Sequence, residues 1–157
     1  MSLVQNALIL ALLTAIPLHA VAAQHAAPAA TITPAARLAV LGDSLTPGAS
    51  RTAQLGLGPN MTYALTHRDS TGGLEAHRDW TDVFVVESGS ATLVSGGTLS
   101  GAKEATPGEW RGGKANGSTR AALHVGDVVV IPAGAPHQMI LAPGEHITYL
   151  AFKVKAP

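Results

Sequence analysis

Four side chains could do chemistry together: Glu75, His77, Asp82 and His137. Glu75 and His77 stand two residues apart, so on a strand they share a face. A carboxylate and an imidazole on an inward face are costly to bury unless they are paired or bound to a metal. Asp82 is expected on a neighbouring strand, and His137 follows a proline- and glycine-rich turn. Two imidazoles with one or two carboxylates suit a divalent first-row ion. Iron(II) and manganese(II) fit two histidines and one carboxylate, and zinc(II) or nickel(II) fit as well. Glu75 could be a fourth ligand or a general base, and Asp79 substitutes for Asp82 if the register differs. The plainer alternative makes Glu75 and Asp82 solvent-facing carboxylates and both histidines structural. The chain has no cysteine, which excludes disulfides and thiolate metal sites.

The element that must aim His137 is Gly126–His137, GDVVVIPAGAPH. Gly126-Asp127 suits a tight turn. Val128 to Ile131 is a β-branched run that favours a strand, and Pro132 ends its ladder. Ala133-Gly134-Ala135-Pro136 bends the chain, and His137 leads into a strand from Gln138 to Leu141. Further strands are expected at Met61–His67, Leu74–His77, Asp82–Glu87, Ala91–Val94, Arg120–Val125 and Ile147–Lys153. The glycine-rich stretch 96–118 reads as a long irregular loop with one bulky cluster, Glu109-Trp110-Arg111. His67, His124 and His146 read as surface residues, and Trp80 and Trp110 could line a pocket mouth or pack as rim or core residues.

Lys plus Arg and Asp plus Glu are 10 each, so no net charge attracts nucleic acid or an anionic membrane. Residues 1–23 read as a signal peptide, with apolar Ala7–Leu18 and small residues at Ala20–Ala23; this predicts a periplasmic or extracellular protein with no stable membrane association after cleavage. Residues 24–32 read as a disordered Ala/Pro linker and 33–60 as an N-terminal helix and arm. Thr33 is the expected N-cap with Pro34 at the first helical position, and Gly42 the expected stop. Gly42-Asp43-Ser44-Leu45 with Thr46-Pro47-Gly48 resembles the nucleophile block of GDSL hydrolases, which makes Ser44 a remote esterase candidate. The Asp-x-x-His that such a triad needs is absent from the sequence, and a turn is the expected reading.

Gly126, Pro132, Gly134 and His137 fill four places of the second cupin motif, glycine, five residues, Pro-x-Gly, two residues, His. Leu141 stands where that motif usually closes with Asn. Upstream, the segment from Glu75 to Gly89 resembles the first cupin motif: Glu75 falls at the first His place, His77 at the second, Asp82 at the Glu place and Gly89 at the closing Gly. Asp69 stands where an opening Gly is expected. The resemblance covers roughly Met61 to Lys153. It implies an all-β fold, a cupin-type jelly-roll β-barrel over 61–157 after a short N-terminal helix, a divalent metal held by His77, Asp82, His137 and Glu75, and often a homodimer. A metal-dependent enzyme acting on a small polar or carbohydrate-like molecule is the first expectation. A small-ligand or sugar-binding module without turnover is the second.

Overall fold

Two hydrogen-bonded sheets face each other across an apolar core and carry the candidate residues at one end of it. The computed structural model describes residues 29–45 and 50–157. Residues 32–157 form one compact unit, and 29–31 contain neither helix nor strand. The expected signal segment and most of the linker lie outside the described residues, as do Thr46, Pro47 and Gly48.

Among the described residues a single helix, α1 (Ala35–Leu45), precedes the strands. Its alanine-rich start favours helix, and the Pro34 carbonyl accepts from the Arg37 and Leu38 amides. The helix runs through Gly42 instead of stopping there. An interior glycine costs only about 1 kcal/mol, which α1 offsets by lying against the first two strands.

The first sheet contains β1 (Ser50–Leu57), β2 (Met61–Arg68), β4 (Trp80–Gly89), β11 (Val128–Ile131) and β13 (Ile147–Lys155), in the order β1-β2-β13-β4-β11. The second contains β3 (Glu75–His77), β5 (Ala91–Ser95), β7 (Lys103–Thr106), β8 (Glu109–Arg111), β10 (Thr119–Leu123) and β12 (His137–Ile140), in the order β10-β5-β12-β3-β8-β7. A separate ribbon pairs β6 (Thr98–Ser100) with β9 (Lys114–Asn116).

The expected jelly-roll barrel is not formed. Among the described residues no ladder joins the two sheets, so β1 and β11 remain edges of one and β10 and β7 of the other. A closed barrel would abolish these edges. The two layers are instead held by side-chain burial between them. Two other expectations change. β1 is a full strand paired with β2, where only an arm was expected. The stretch 96–118 holds four short strands in place of an irregular loop. Its glycines sit at the turns between them, several with positive φ, and this punctuation hides strands too short to show an alternating pattern.

The core alternates as paired sheets require. Phe84 and Val86 of β4, Leu93 of β5, Leu123 of β10, Met139 of β12, and Ile147 and Tyr149 of β13 pack together between the layers. The chain passes from the first sheet to the second at Gly89, whose φ is +75°. The Ser90 amide there donates to the His146 carbonyl at 2.9 Å. Beyond Phe84 the inward positions turn polar, and the site begins.

Candidate metal centre

His137 is aimed by the Pro/Gly turn. Within the turn the Ala135 amide donates to the Pro132 carbonyl at 3.1 Å. Gly134, at φ +80°, donates its amide to the His77 carbonyl at 2.7 Å, which pins the turn to β3. His137 then pairs with Glu75 on β3 and with Ser95 on β5. Glu75 and His77 share the inward face of β3, as their spacing requires. Asp82 arrives from β4, which belongs to the facing sheet and not to a neighbouring strand as expected.

The four groups converge. Asp82 Oδ2 lies 3.4 Å from Nε2 of both His77 and His137. Glu75 Oε1 lies 3.5 Å from His137 Nε2, and its Oε2 lies 3.9 Å from His77 Nε2. These separations are long for hydrogen bonds. The two to Asp82 fall at the upper end of the roughly 3.0–3.4 Å between neighbouring ligands around an ion at ~2.1 Å, and the two to Glu75 are longer. Both rings and Asp82 are almost wholly buried, and Glu75 is partly open.

The outer ring nitrogens show how the imidazoles are set. His77 Nδ1 is 2.6 Å from Glu109 Oε2, and His137 Nδ1 is 3.1 Å from the Ala135 carbonyl. Carboxylates and carbonyls accept, so each Nδ1 carries the donated proton. Each Nε2 of a neutral ring is then a lone pair directed at the cluster. His137 Nε2 is buried and has no hydrogen-bond partner, an expensive omission unless a Lewis acid takes the lone pair. Burial also lowers the His77 pKa, against the opposing pull of Asp82, which favours the neutral, ligating ring. For Glu75 burial works against ionisation, but His137, His77 and Arg111 outweigh it and lower the pKa to about 2. Glu75, His77 and His137 therefore form a cluster with the composition and spacing to hold a divalent ion.

Three contributors were missed from the sequence. Glu109 orients His77. Arg111 bridges Glu109 at 3.1 Å and Glu75 at 3.5 Å. Lys153 Nζ lies 3.0 Å from Asp82 Oδ1. Glu109 and Arg111 stood out only as part of a bulky cluster in a glycine-rich stretch. β8 pairs with β3 in a register that places Glu109 opposite His77 and Arg111 opposite Glu75, a juxtaposition no local pattern encodes. Lys153 was visible only as the end of a strand.

The other candidates fall away. Asp79 is half-exposed and paired with Arg78 at 3.0 Å. Ser44 is exposed in the last turn of α1, and its hydroxyl donates to the Leu41 carbonyl at 2.7 Å. That is neither the expected turn nor the strand-to-helix elbow of a hydrolase nucleophile. His67 is not on the surface: it is 2% exposed, with Nδ1 2.9 Å from Thr148 Oγ1. His124 is exposed, as expected. Neither Trp80 nor Trp110 lines the cavity beside the cluster.

That cavity measures about 210 Å³ and opens between β1, β2, β4 and β13, with Glu75, His77 and Asp82 in its wall. Polar groups from Thr52, Thr62 and Thr66 meet Ala64, Phe84 and Ala151 around it. At ~30 Å³ per water it holds roughly seven waters, the space of a small metabolite.

Solved structures share this fold. The cupin domain of Cnp3 from Schizosaccharomyces pombe aligns with TM-score 0.52 at 9% identity, over 68% of this chain and 65% of that one. The chain shares the fold of that cupin domain. A protein of Thermus thermophilus aligns with TM-score 0.52 at 16% identity, over 72% and 90% of the two chains. The polyketide cyclase RemF of Streptomyces resistomycificus aligns with TM-score 0.50 at 17% identity, over 69% and 68%. The chain thus spans less than two thirds of the length of the Cnp3 domain that it matches. No family model matches the sequence. No curated protein matches it either. The fold and the buried His/His/Glu cluster give the chain a site with the groups to hold a divalent ion.

Proposed function

We propose that Glu75, His77 and His137 hold a divalent ion, that Asp82 closes the set from the facing sheet, and that the adjoining cavity takes the small polar molecule on which the enzyme acts. The observation that carries this reading is the convergence of two imidazoles whose Nδ1 atoms each face an acceptor, one with an orphaned buried Nε2, on a carboxylate at the cavity wall. When bound, the ion supplies Lewis-acid chemistry, or redox chemistry if it is iron. The chain supplies the rest. Glu109 and the Ala135 carbonyl hold the ring orientations, and Phe84, against His137 and Tyr149, closes the apolar side. A carboxyl held near 2 is a weak base at neutral pH, which favours Glu75 as a ligand over a general base. The same weakness favours, as a second reading, a binding module without turnover.

Elemental analysis of untagged protein tests the centre. Close to one equivalent of iron, manganese, nickel or zinc is expected in the wild type and none in the His77→Ala/His137→Ala double variant. Wild-type protein that takes up no metal after reconstitution would overturn the proposal. Metal without turnover of any small polar compound would select the binding module.

A further inference from the structure

Lys153 is turned the wrong way for an ordinary surface lysine. Lysines commonly lay the stem on the protein and keep the ammonium in water. Here the side chain is 37% exposed, yet Nζ itself is buried. It is ion-paired with Asp82 Oδ1 at 3.0 Å and has no other hydrogen-bond partner, so donors of the ammonium beyond the one directed at Asp82 remain available inside the cavity wall. Burying an ammonium without satisfying it is costly. Asp82 meets part of that cost electrostatically, and the rest calls for an acceptor that the chain does not provide.

The charge balance of the cavity says what kind of acceptor fits. Its charged lining is Arg68, Lys153, Glu75 and Asp82, two cations against two anions, which sum to zero. A divalent ion on the Glu75–His77–His137 cluster leaves two positive charges in excess. Arg68 stands in the same wall with its Nε donated to the Tyr149 hydroxyl at 3.0 Å, fixing the guanidinium in place. Resting on the metal centre proposed above, we infer that the cavity is built for a small oxyanion, with Lys153 as its anchoring residue and Arg68 as a second positive wall. The apolar Ala64, Phe84 and Ala151 accommodate a short carbon skeleton, and the volume limits the ligand to a few carbons. A neutral sugar would leave the excess charge unanswered.

Calorimetric titration of zinc- or manganese-loaded protein tests this with four probes: glycolate, malonate, inorganic phosphate and the neutral isostere glycolamide. Glycolate or malonate should bind with glycolamide undetected; phosphate binding in their place would assign a phosphoryl group instead of a carboxylate and still support an oxyanion site. Lys153→Met keeps most of the stem and should weaken anion binding roughly ten- to a hundredfold, the range for a charge-assisted hydrogen bond. Lys153→Arg should restore most of it. Metal content and thermal unfolding, measured on the same samples, separate loss of the anchor from loss of the centre or the fold. Glycolamide binding as tightly as glycolate, or Lys153→Met binding malonate as tightly as wild type, overturns the inference. Protein that holds its metal but binds no small anion overturns it while leaving the metal centre standing. Protein that takes up no metal overturns both.

Discussion

At the scale of single residues, Glu109 decides how well His77 can serve. At 2.6 Å it accepts the Nδ1 proton, fixes the tautomer and raises the basicity of Nε2. Glu109→Gln is expected to weaken metal affinity about ten- to a hundredfold, the usual effect of losing such an outer partner, while the protein stays folded. Competition with a chelator of known affinity measures it, and an unchanged affinity would mean that Glu109 only decorates the site. His67 makes a different point. It is buried, and its pKa is lowered mainly by burial and then by His146, whose ring stacks 5.9 Å away. The unfolded chain therefore binds protons at His67 and His77 more readily than the folded one. Both contributions are intact above the unfolded value near 6.5 and fade as pH falls below it. Metal-free protein in chelator should be less stable to urea at pH 5.5 than at 7.5, and His67→Gln should flatten part of that slope. Stability that is level or rising on acidification would contradict this.

At the scale of elements, the corners carry as much information as the strands. Gly89 ends β4 with φ +75°, and a Cβ there would collide with the His146 carbonyl. Gly89→Ala is thus expected to destabilise the fold by about 2 kcal/mol or more, from left-handed strain plus the clash. Chemical denaturation gives the value, and a loss under about 0.5 kcal/mol would show that the corner relaxes freely. β8 is the other decisive element. It is three residues long, too short for any alternation, yet its pairing with β3 delivers Glu109 and Arg111. The Gly112 amide donates to the Leu74 carbonyl and the Arg78 amide to the Gly108 carbonyl, each at 2.8 Å, so β8 is clamped at both ends.

At the scale of the whole molecule, the site is a joint product of two layers. Glu75, His77 and His137 stand on one sheet, while Asp82, Lys153 and Arg68 stand on the other. Because no ladder links the sheets among the described residues, their spacing is set by the core of Phe84, Val86, Met139, Ile147 and Tyr149. Metal bound to groups of both layers would tie them together, so saturating metal should raise the unfolding temperature of wild type, by mass action, and leave the double histidine variant unmoved.

The sequence alone determined what is local. Spacing on β3 placed Glu75 and His77 on one face, β-branched runs marked β4, β11 and β13, and Pro132, Gly134 and Gly89 marked corners whose backbone demands show in residue type. Composition excluded thiolate ligands. Only the tertiary structure decided what depends on register between distant segments: that Asp82 faces the histidines from the opposite sheet, that Glu109 and Arg111 meet β3, that Lys153 turns its ammonium inward, and that the sheets stay open where a closed barrel was expected. Side-chain periodicity reports which face a residue takes. It carries no information on which strand lies opposite, and the chemistry of this site is fixed by that pairing.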